Sequence, residues 1–166
     1  EDTSGPRQSF KEVVTEARGH RGYKLLTAGF FVCGFHVTFI GTHLPAYLMD
    51  NDVSPTAAAY ALGLIGLCNV LGAYFFGALG DRFSKKNLLT VIYYGRAVLM
   101  VLVLVLPVNN ITALLFGASM GFLWLATVPL TSGIVAQIFG TRNFTMLFGF
   151  VFMSHQFGAF GGAWLG

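Results

Sequence analysis

Residues 25–49 read LLTAGFFVCGFHVTFIGTHLPAYLM and contain no Lys, Arg, Asp or Glu. A helix needs about 20 apolar residues to cross the hydrocarbon core of a bilayer, so this stretch is long enough to span a membrane. Four further segments meet the same requirement. The five predicted spans are residues 25–49, 56–80, 87–107, 111–139 and 145–166. The sequence therefore predicts an all-α fold, a polytopic bundle of five transmembrane helices.

The amino-acid composition excludes an ordinary soluble domain. Of the 166 residues, 55% are hydrophobic and only 10% are charged, whereas soluble domains carry about 25% charged residues. A soluble domain of this size leaves much of its chain at the surface, where so much apolar area would face water. The net charge of +3 does not indicate nucleic-acid binding, because the basic residues are not gathered in one patch.

No group of residues in the sequence points to catalysis or to metal binding. There is no recognisable nucleophile–base pair and no metal-ligand spacing, so no catalytic residue, metal or cofactor is predicted, and an enzyme is the least favoured class. Cys33 and Cys68 both lie inside apolar runs. Because a free cysteine packs as a small hydrophobe, buried packing of both thiols is favoured over a disulfide or a metal site.

The basic residues outside the spans all fall on one side of the membrane. Asp50 and Asp52 lie on the opposite side, in the link between the first two spans. Lys and Arg accumulate on the cytoplasmic side, so the N-terminus is predicted to be cytoplasmic and the fifth span to end outside. The basic residues of the predicted cytoplasmic side are Arg7, Lys11, Arg18, Arg21 and Lys24 before the first span, Arg82, Lys85 and Lys86 after the second, and Arg142 after the fourth.

Residues 1–24 are predicted to form a cytoplasmic linker with a short amphipathic helix. Ser9 followed by Glu12 fits a capping box at the start of that helix. Two interpretations remain open, a helix on the membrane surface and a solvated connector. The apolar residues that share one face of this helix are Phe10, Val13, Val14 and Ala17.

The second and fifth spans share a short internal similarity. Gly72-Ala73-Tyr74 and Gly158-Ala159-Phe160 are 86 positions apart, as are Leu79-Gly80 and Leu165-Gly166. The two spans would run in opposite directions, which is the relation expected of an inverted repeat. The first three spans would then form one unit and the last two would begin the next. A chance match in a glycine-rich chain is the alternative.

The loop between the second and third spans carries a family signature, GALGDRFSKK at residues 77–86. It resembles the signature loop of the major facilitator superfamily, in which a Gly is followed after three residues by Asp and a basic residue, then by one residue, Gly and two basic residues. Ser84 stands where that pattern has its second Gly. The residues that match the signature are Gly77, Asp81, Arg82, Lys85 and Lys86.

The resemblance implies helices seven to eleven of a twelve-helix facilitator, within a six-helix half built from 3+3 inverted repeats. It further implies a secondary transporter that works by alternating access, with the signature loop as a conformational latch. The chain would be an incomplete half, and its partners would be a small solute, the lipid bilayer, the N-terminal six-helix half and the final helix. The alternatives are a plain cytoplasmic loop and, for the whole protein, a non-transporting membrane sensor or assembly module of the same fold.

Three stretches resemble bacterial carriers related to the monocarboxylate and oxalate–formate transporters. They are Gly34-Phe35-His36, residues 42–47 and Ser154-His155-Gln156. This resemblance implies an organic anion, such as a monocarboxylate, as the solute and the bacterial cytoplasmic (inner) membrane as the location. Symport and antiport are not distinguished.

Arg96 is the one charged residue inside the five spans. It is the tenth residue of the third span and is expected near the bilayer centre, where an Arg costs about 2.5–3.5 kcal/mol on insertion scales and is normally paired. One interpretation is a countercharge for an anionic solute or a part of a gating network. The other is a structural pair with backbone carbonyls or with a partner outside this chain.

Other polar residues inside the spans are candidates for substrate binding or proton coupling. Histidine titrates near neutral pH, which suits proton coupling, and a hydrogen-bonded structural histidine is the alternative. Pro45 and Pro129 mark points where the first and fourth spans could be interrupted, as happens at transporter sites. The candidates are His36, Thr42, His43, Trp124, Thr127, His155 and Gln156, together with Arg96.

Overall fold

The computed structural model describes residues 9–165, and the described chain is helical, without strands. Arg7 and Gly166, which enter the charge and repeat predictions, lie outside the described residues. The predicted all-α class is confirmed. The helices of the described residues are α1 (Phe10–Gly19), α2 (Arg21–Asp50), α3 (Pro55–Arg82), α4 (Lys85–Val105), α5 (Asn110–Leu123), α6 (Thr127–Phe139) and α7 (Phe144–Trp164).

Four stretches of the described chain are both long enough and apolar enough to cross a membrane. They are α2, α3, α4 and the combined stretch Asn110–Phe139, which contains α5 and α6. The fifth predicted span is also a helix, α7, with 21 residues. It is not among the four, because Ser154, His155 and Gln156 lower its mean hydropathy. The bundle is therefore polytopic as predicted, but its last helix is more polar than the other four spans.

The helix ends differ from the predicted spans on the side that carries the basic residues. The helix α2 begins at Arg21, so the predicted linker of residues 1–24 already contains the first turn of the first span. The predicted link of residues 81–86 shrinks to residues 83–84, because α3 continues to Arg82 and α4 begins at Lys85. On the other side, the Ser54 hydroxyl accepts from the Ala57 N–H and Pro55 follows it, a combination that starts α3.

The helix α1 packs on the bundle through part of its apolar face. The predicted capping box is present, since the Ser9 N–H donates to Glu12 and the Glu12 N–H donates to the Ser9 hydroxyl. Val13 and Ala17 are buried in the same apolar cluster as Leu147 of α7. This half of the predicted face therefore covers neighbouring helices and does not face lipid or water.

The helices pair in parallel through glycines. A Cβ built on Gly158 would overlap the Phe31 carbonyl, and one on Gly162 would overlap the Phe35 carbonyl, so α2 and α7 run in the same direction. The helices α3 and α5 pair in the same way through Gly117. Small residues let membrane helices approach to this distance. The parallel pairing agrees with the alternating span directions derived from the charges.

The two halves of the internal similarity make equivalent contacts. Gly72 of α3 lies against the carbonyl of Phe122 in α5. Gly158 of α7, its counterpart 86 positions on, lies against the carbonyl of Phe31 in α2. Each glycine therefore packs on a phenylalanine carbonyl of the other predicted unit.

Candidate functional site

The fourth predicted span is broken near its middle. The helix α5 ends at Leu123 and α6 begins at Thr127, and residues 124–126, here called the break, are not helical. Pro129 lies in the first turn of α6. The N–H groups of a first turn have no acceptor within the helix, so the missing N–H of proline costs no helical hydrogen bond there. The corresponding proline of the first span behaves differently, because α2 continues through Pro45. The break therefore leaves backbone groups that other helices must satisfy.

Arg96 of α4 reaches into the break. Its side chain is only 1% exposed. The guanidinium donates from Nε and Nη2 to the carbonyl of Leu123, at 3.0 and 2.6 Å, and Nη2 also donates to the carbonyl of Trp124. Nη1 lies 3.2 Å from the sulfur of Cys33 in α2. Of the two interpretations of Arg96, pairing with backbone carbonyls is therefore the arrangement found in the described residues.

Two further helices contribute polar groups to the same place. The Asn69 Oδ1 of α3 accepts a hydrogen bond from the Leu125 N–H at 2.9 Å. The Cys33 sulfur lies 3.3 Å from the hydroxyl of Thr127, the first residue of α6. An unsatisfied backbone group in the hydrocarbon region costs several kcal/mol, so these side chains make the break tolerable inside the bundle.

The charge of Arg96 has no acidic partner among the described residues. All its hydrogen-bond partners are neutral, namely two backbone carbonyls and a sulfur. The ring of Tyr93 lies 5.7 Å from the guanidinium carbon and adds a cation–π contact. The centre of the bundle therefore carries a positive charge that no carboxylate of the described helices neutralises.

His155 of α7 is a second buried polar group. It is 8% exposed, and its ring packs 4.8 Å from that of Phe30 and stacks 5.7 Å from that of Phe152. Neither ring nitrogen has a hydrogen-bond partner among the described residues, and the same holds for the hydroxyl of Thr131 in α6. Buried polar groups normally have partners. The Thr131 hydroxyl is therefore open to water or to another segment, whereas the His155 imidazole lies beside the Cys33 thiol without meeting hydrogen-bond geometry.

None of the remaining candidates makes a hydrogen bond to Arg96 within the part of the chain that the structure describes. His36 and His43 are half-buried, and each has one ring nitrogen without a partner among the described residues. His43 lines a separate apolar cavity of about 230 Å³ with Tyr47. Thr42 and Gln156 are exposed.

The residues of the signature loop lie at the ends of two helices. Asp81 is exposed in the last turn of α3 and has no hydrogen bond or ion pair to another described residue. The ammonium of Lys85 donates to the Gly80 carbonyl at 2.6 Å and so satisfies a backbone group at the end of α3. The same side chain packs against Gly133 of α6. Arg82 and Lys86 are exposed.

The sequence model of the Major Facilitator Superfamily matches residues 2–166. The chain belongs to this superfamily. The facilitator is 27% identical over 141 residues to the uncharacterized MFS-type transporter YcxA of Bacillus subtilis, which covers 80% of the chain and 33% of YcxA.

Two other relatives carry more informative names. Monocarboxylate transporter 12 of Mus musculus is 29% identical over 141 residues, covering 79% of the chain and 29% of that protein. A bicyclomycin resistance protein homolog of Haemophilus influenzae is 30% identical over 104 residues, covering 60% of the chain and 26% of that protein. The facilitator thus spans about a third or less of the length of these relatives.

Sequence reasoning missed several residues at the centre of this facilitator. Asn69 gave the best available signal, because an amide inside an apolar span needs a partner. Cys33 was expected to be buried and is buried, but no sequence pattern indicated its contact with Arg96. Thr131 resembles any other threonine of a membrane helix, and its isolation emerges only from the packing.

Proposed function

We propose that this chain is part of a secondary active transporter that moves a small organic anion, such as a monocarboxylate, across a membrane by alternating access. The observation that carries the proposal is the break at the centre of the bundle, with the uncompensated charge of Arg96 beside it. Transporter sites favour interrupted helices near the membrane midplane. A positive centre favours anions, and a monocarboxylate transporter is among the relatives.

The solute would bind between this chain and segments that it does not contain. Thr42 and Gln156 expose polar groups on apolar helices, which suits a water-filled path better than lipid. The chain spans about a third or less of its relatives' length, which is consistent with an incomplete half. The missing partners would be a six-helix half and a final helix, with the N-terminus in the cytoplasm of a bacterium and the protein in its inner membrane.

Proton coupling is the second part of the proposal. His155 is buried with two unpartnered ring nitrogens, and His36 and His43 each have one. Imidazole changes charge near neutral pH, so such groups can take up and release a proton during a transport cycle. The proposal therefore covers symport of an anion with a proton, and antiport of one anion for another is the alternative mode.

Uptake by the full-length protein in proteoliposomes tests this function. Radiolabelled pyruvate, lactate and oxalate are offered separately, and saturable uptake of at least one is expected. Asp81→Asn should slow transport strongly while leaving the fold intact, because Asp81 has no partner among the described residues. Binding of these anions without any flux would instead support a sensor that retains the facilitator fold. The anion proposal would be refuted if the protein showed no binding and no flux of any of the three anions.

A further inference from the structure

We infer that Arg96 and Asn69 are positioning residues that hold the break between α5 and α6 in one fixed geometry, and that Arg96 does not bind the solute. The inference rests on the proposed function only in calling the break part of the transport path. The clamp itself, defined here as the hydrogen bonds of Arg96 and Asn69 to residues 123–125, is a feature of the described contacts.

The clamp satisfies the backbone groups that the break leaves open, and it does so from two different helices. Arg96 of α4 donates to the carbonyls of Leu123 and Trp124. Asn69 of α3 accepts from the next N–H along the chain, that of Leu125. Donors and acceptors are thus matched residue by residue. If the backbone of the break could bend freely, its successive residues would not meet matching side chains from both α3 and α4.

The donors of Arg96 are almost fully used. A guanidinium has five N–H groups. Nε donates to Leu123, Nη2 donates to both Leu123 and Trp124, and Nη1 is directed at Cys33. With a side chain that is 1% exposed, little surface remains for a solute. The charge of Arg96 can act on an anion through space, but direct contact would require the clamp to open.

The clamp depends on the forked arrangement of N–H groups in the Arg96 guanidinium, and a positive charge alone would not form it. Two nitrogens of Arg96 converge on one carbonyl oxygen while a third group reaches Cys33. A lysine ammonium is a point charge on a flexible stem and cannot make this set of bonds. Arg96→Lys therefore separates the two roles, because it keeps the positive charge and removes the fork.

The helix α4 holds the broken span at a second point. Its first residue, Lys85, packs on Gly133 of α6 and donates to the end of α3. Lys85 and Arg96 are 11 residues apart in one helix, which is about 16 Å along the axis. The same helix therefore contacts α6 at the cytoplasmic end and the break at the centre. We expect α4, α6 and the break to move together when the protein changes state.

Hydrogen exchange on the full-length protein in detergent tests the clamp without any solute. Asn69→Leu removes the acceptor of the Leu125 N–H and is expected to accelerate exchange of the amides of residues 124–128 by about 10-fold. Arg96→Lys and Arg96→Met break the hydrogen bonds to the carbonyls of Leu123 and Trp124, so the break should open more often and the same amides should exchange at least as fast as in Asn69→Leu. Asn69→Asp keeps an acceptor for the Leu125 N–H, so protection of that amide should be retained. Peptides across the α2–α7 contact should not change, which a general loss of stability could not reproduce.

Two matched controls and one reserve variant complete this experiment. Cys68→Ala is next to Asn69 on α3, and Tyr94→Phe is an exposed change on α4; both should leave the break unchanged. If Asn69→Leu does not fold, Asn69→Ser replaces it, because the shorter side chain cannot reach the Leu125 N–H. Wild-type exchange at residues 124–128 in Asn69→Leu (or in Asn69→Ser where that variant replaces it), or in Arg96→Lys, would overturn the clamp.

Pyruvate uptake in proteoliposomes then tests whether the clamp serves transport. Arg96→Lys and Arg96→Met should be impaired alike, with a half-saturation concentration raised by about 3- to 10-fold, if the fork positions the site. If the charge of Arg96 contacts the solute, Arg96→Lys should transport and Arg96→Met should not. If the wild-type protein shows no pyruvate flux, only the proposed function is contradicted, since the hydrogen-exchange measurement tests the clamp independently.

Discussion

The Cys33 sulfur accepts a hydrogen bond from the Arg96 guanidinium at 3.2 Å. The two residues lie in α2 and α4, so the contact joins the first and third spans at the point where the fourth is broken. The same sulfur lies 3.3 Å from the Thr127 hydroxyl. A thiol that resembles simple apolar packing in the sequence is therefore a polar link between three helices.

Replacing Cys33 tests this link. Cys33→Ser keeps an acceptor of similar size and should retain stability within about 1 kcal/mol, whereas Cys33→Val removes the acceptor of a charged donor and should cost about 1.5–3 kcal/mol. Thermal unfolding of the purified protein in detergent measures both. Cys68→Val is the matched control, because Cys68 is only half-buried and has no hydrogen bond to a described residue. Equal melting temperatures for Cys33→Ser and Cys33→Val would contradict the polar link.

The glycine contact between α2 and α7 gives a second prediction. Gly158→Ala places a methyl group on the Phe31 carbonyl and should force the two helices apart, at a cost of about 1–3 kcal/mol. Gly149→Ala in the same helix meets no atom within 4 Å and should be neutral or stabilise by about 0.5–1 kcal/mol through helix propensity. Melting temperatures that fall equally in both variants would show that α7 rejects any added side chain and that the Phe31 contact is not special.

The close contacts at the N-terminal end of α4 give a third prediction. Lys85→Met keeps most of the side-chain volume against Gly133 but removes the ammonium that donates to Gly80. We expect faster hydrogen exchange in residues 80–84 and a stability loss of about 0.5–1.5 kcal/mol. Lys86→Met, at an exposed neighbour, should change neither quantity. The same effect in both variants would indicate a general loss of positive charge at this end.

The bundle itself was readable from the sequence because the bilayer imposes simple rules. A spanning helix must be apolar over about 20 residues and must satisfy its own backbone, so length and composition suffice to find most spans. The fifth span was also predicted and is a helix, α7, although its polar triplet Ser154, His155 and Gln156 makes it less apolar than the other four. Span directions followed from the basic residues, and the parallel helix pairs agree with them.

The break was only partly readable. Pro129 signals an interruption in the fourth span, but Pro45 gives the same signal in the first span, where the helix continues. The two prolines differ in their tertiary surroundings, because Arg96 and Asn69 form hydrogen bonds with the backbone of the break in the fourth span. The partners of Arg96 are carbonyls more than 25 positions away, and a carbonyl has no signature in a sequence. The sequence could therefore predict that the charge of Arg96 is buried, but it could not identify the groups that accept hydrogen bonds from it.

His155 gives the last prediction, which separates a coupling role from a structural one. Its ring packs between Phe30 and Phe152 and lies near the Cys33 thiol, but neither ring nitrogen meets hydrogen-bond geometry with a described residue. His155→Phe keeps the aromatic stacking and removes a buried unpartnered polar group, so stability should be equal or higher. If the imidazole carries the coupling proton, accumulation of pyruvate driven by an imposed pH gradient should disappear while exchange of pyruvate across the membrane without a gradient persists.

Parallel measurements on proteoliposomes decide this point. Met153→Leu, an exposed change in the same helix, should leave both gradient-driven accumulation and exchange unchanged. Loss of both activities in His155→Phe would indicate that the imidazole contacts the solute or shapes its path. Gradient-driven accumulation at the wild-type level would remove His155 from the coupling mechanism, and the same pair of assays on His36→Phe and His43→Phe would then decide between the two half-buried histidines of α2.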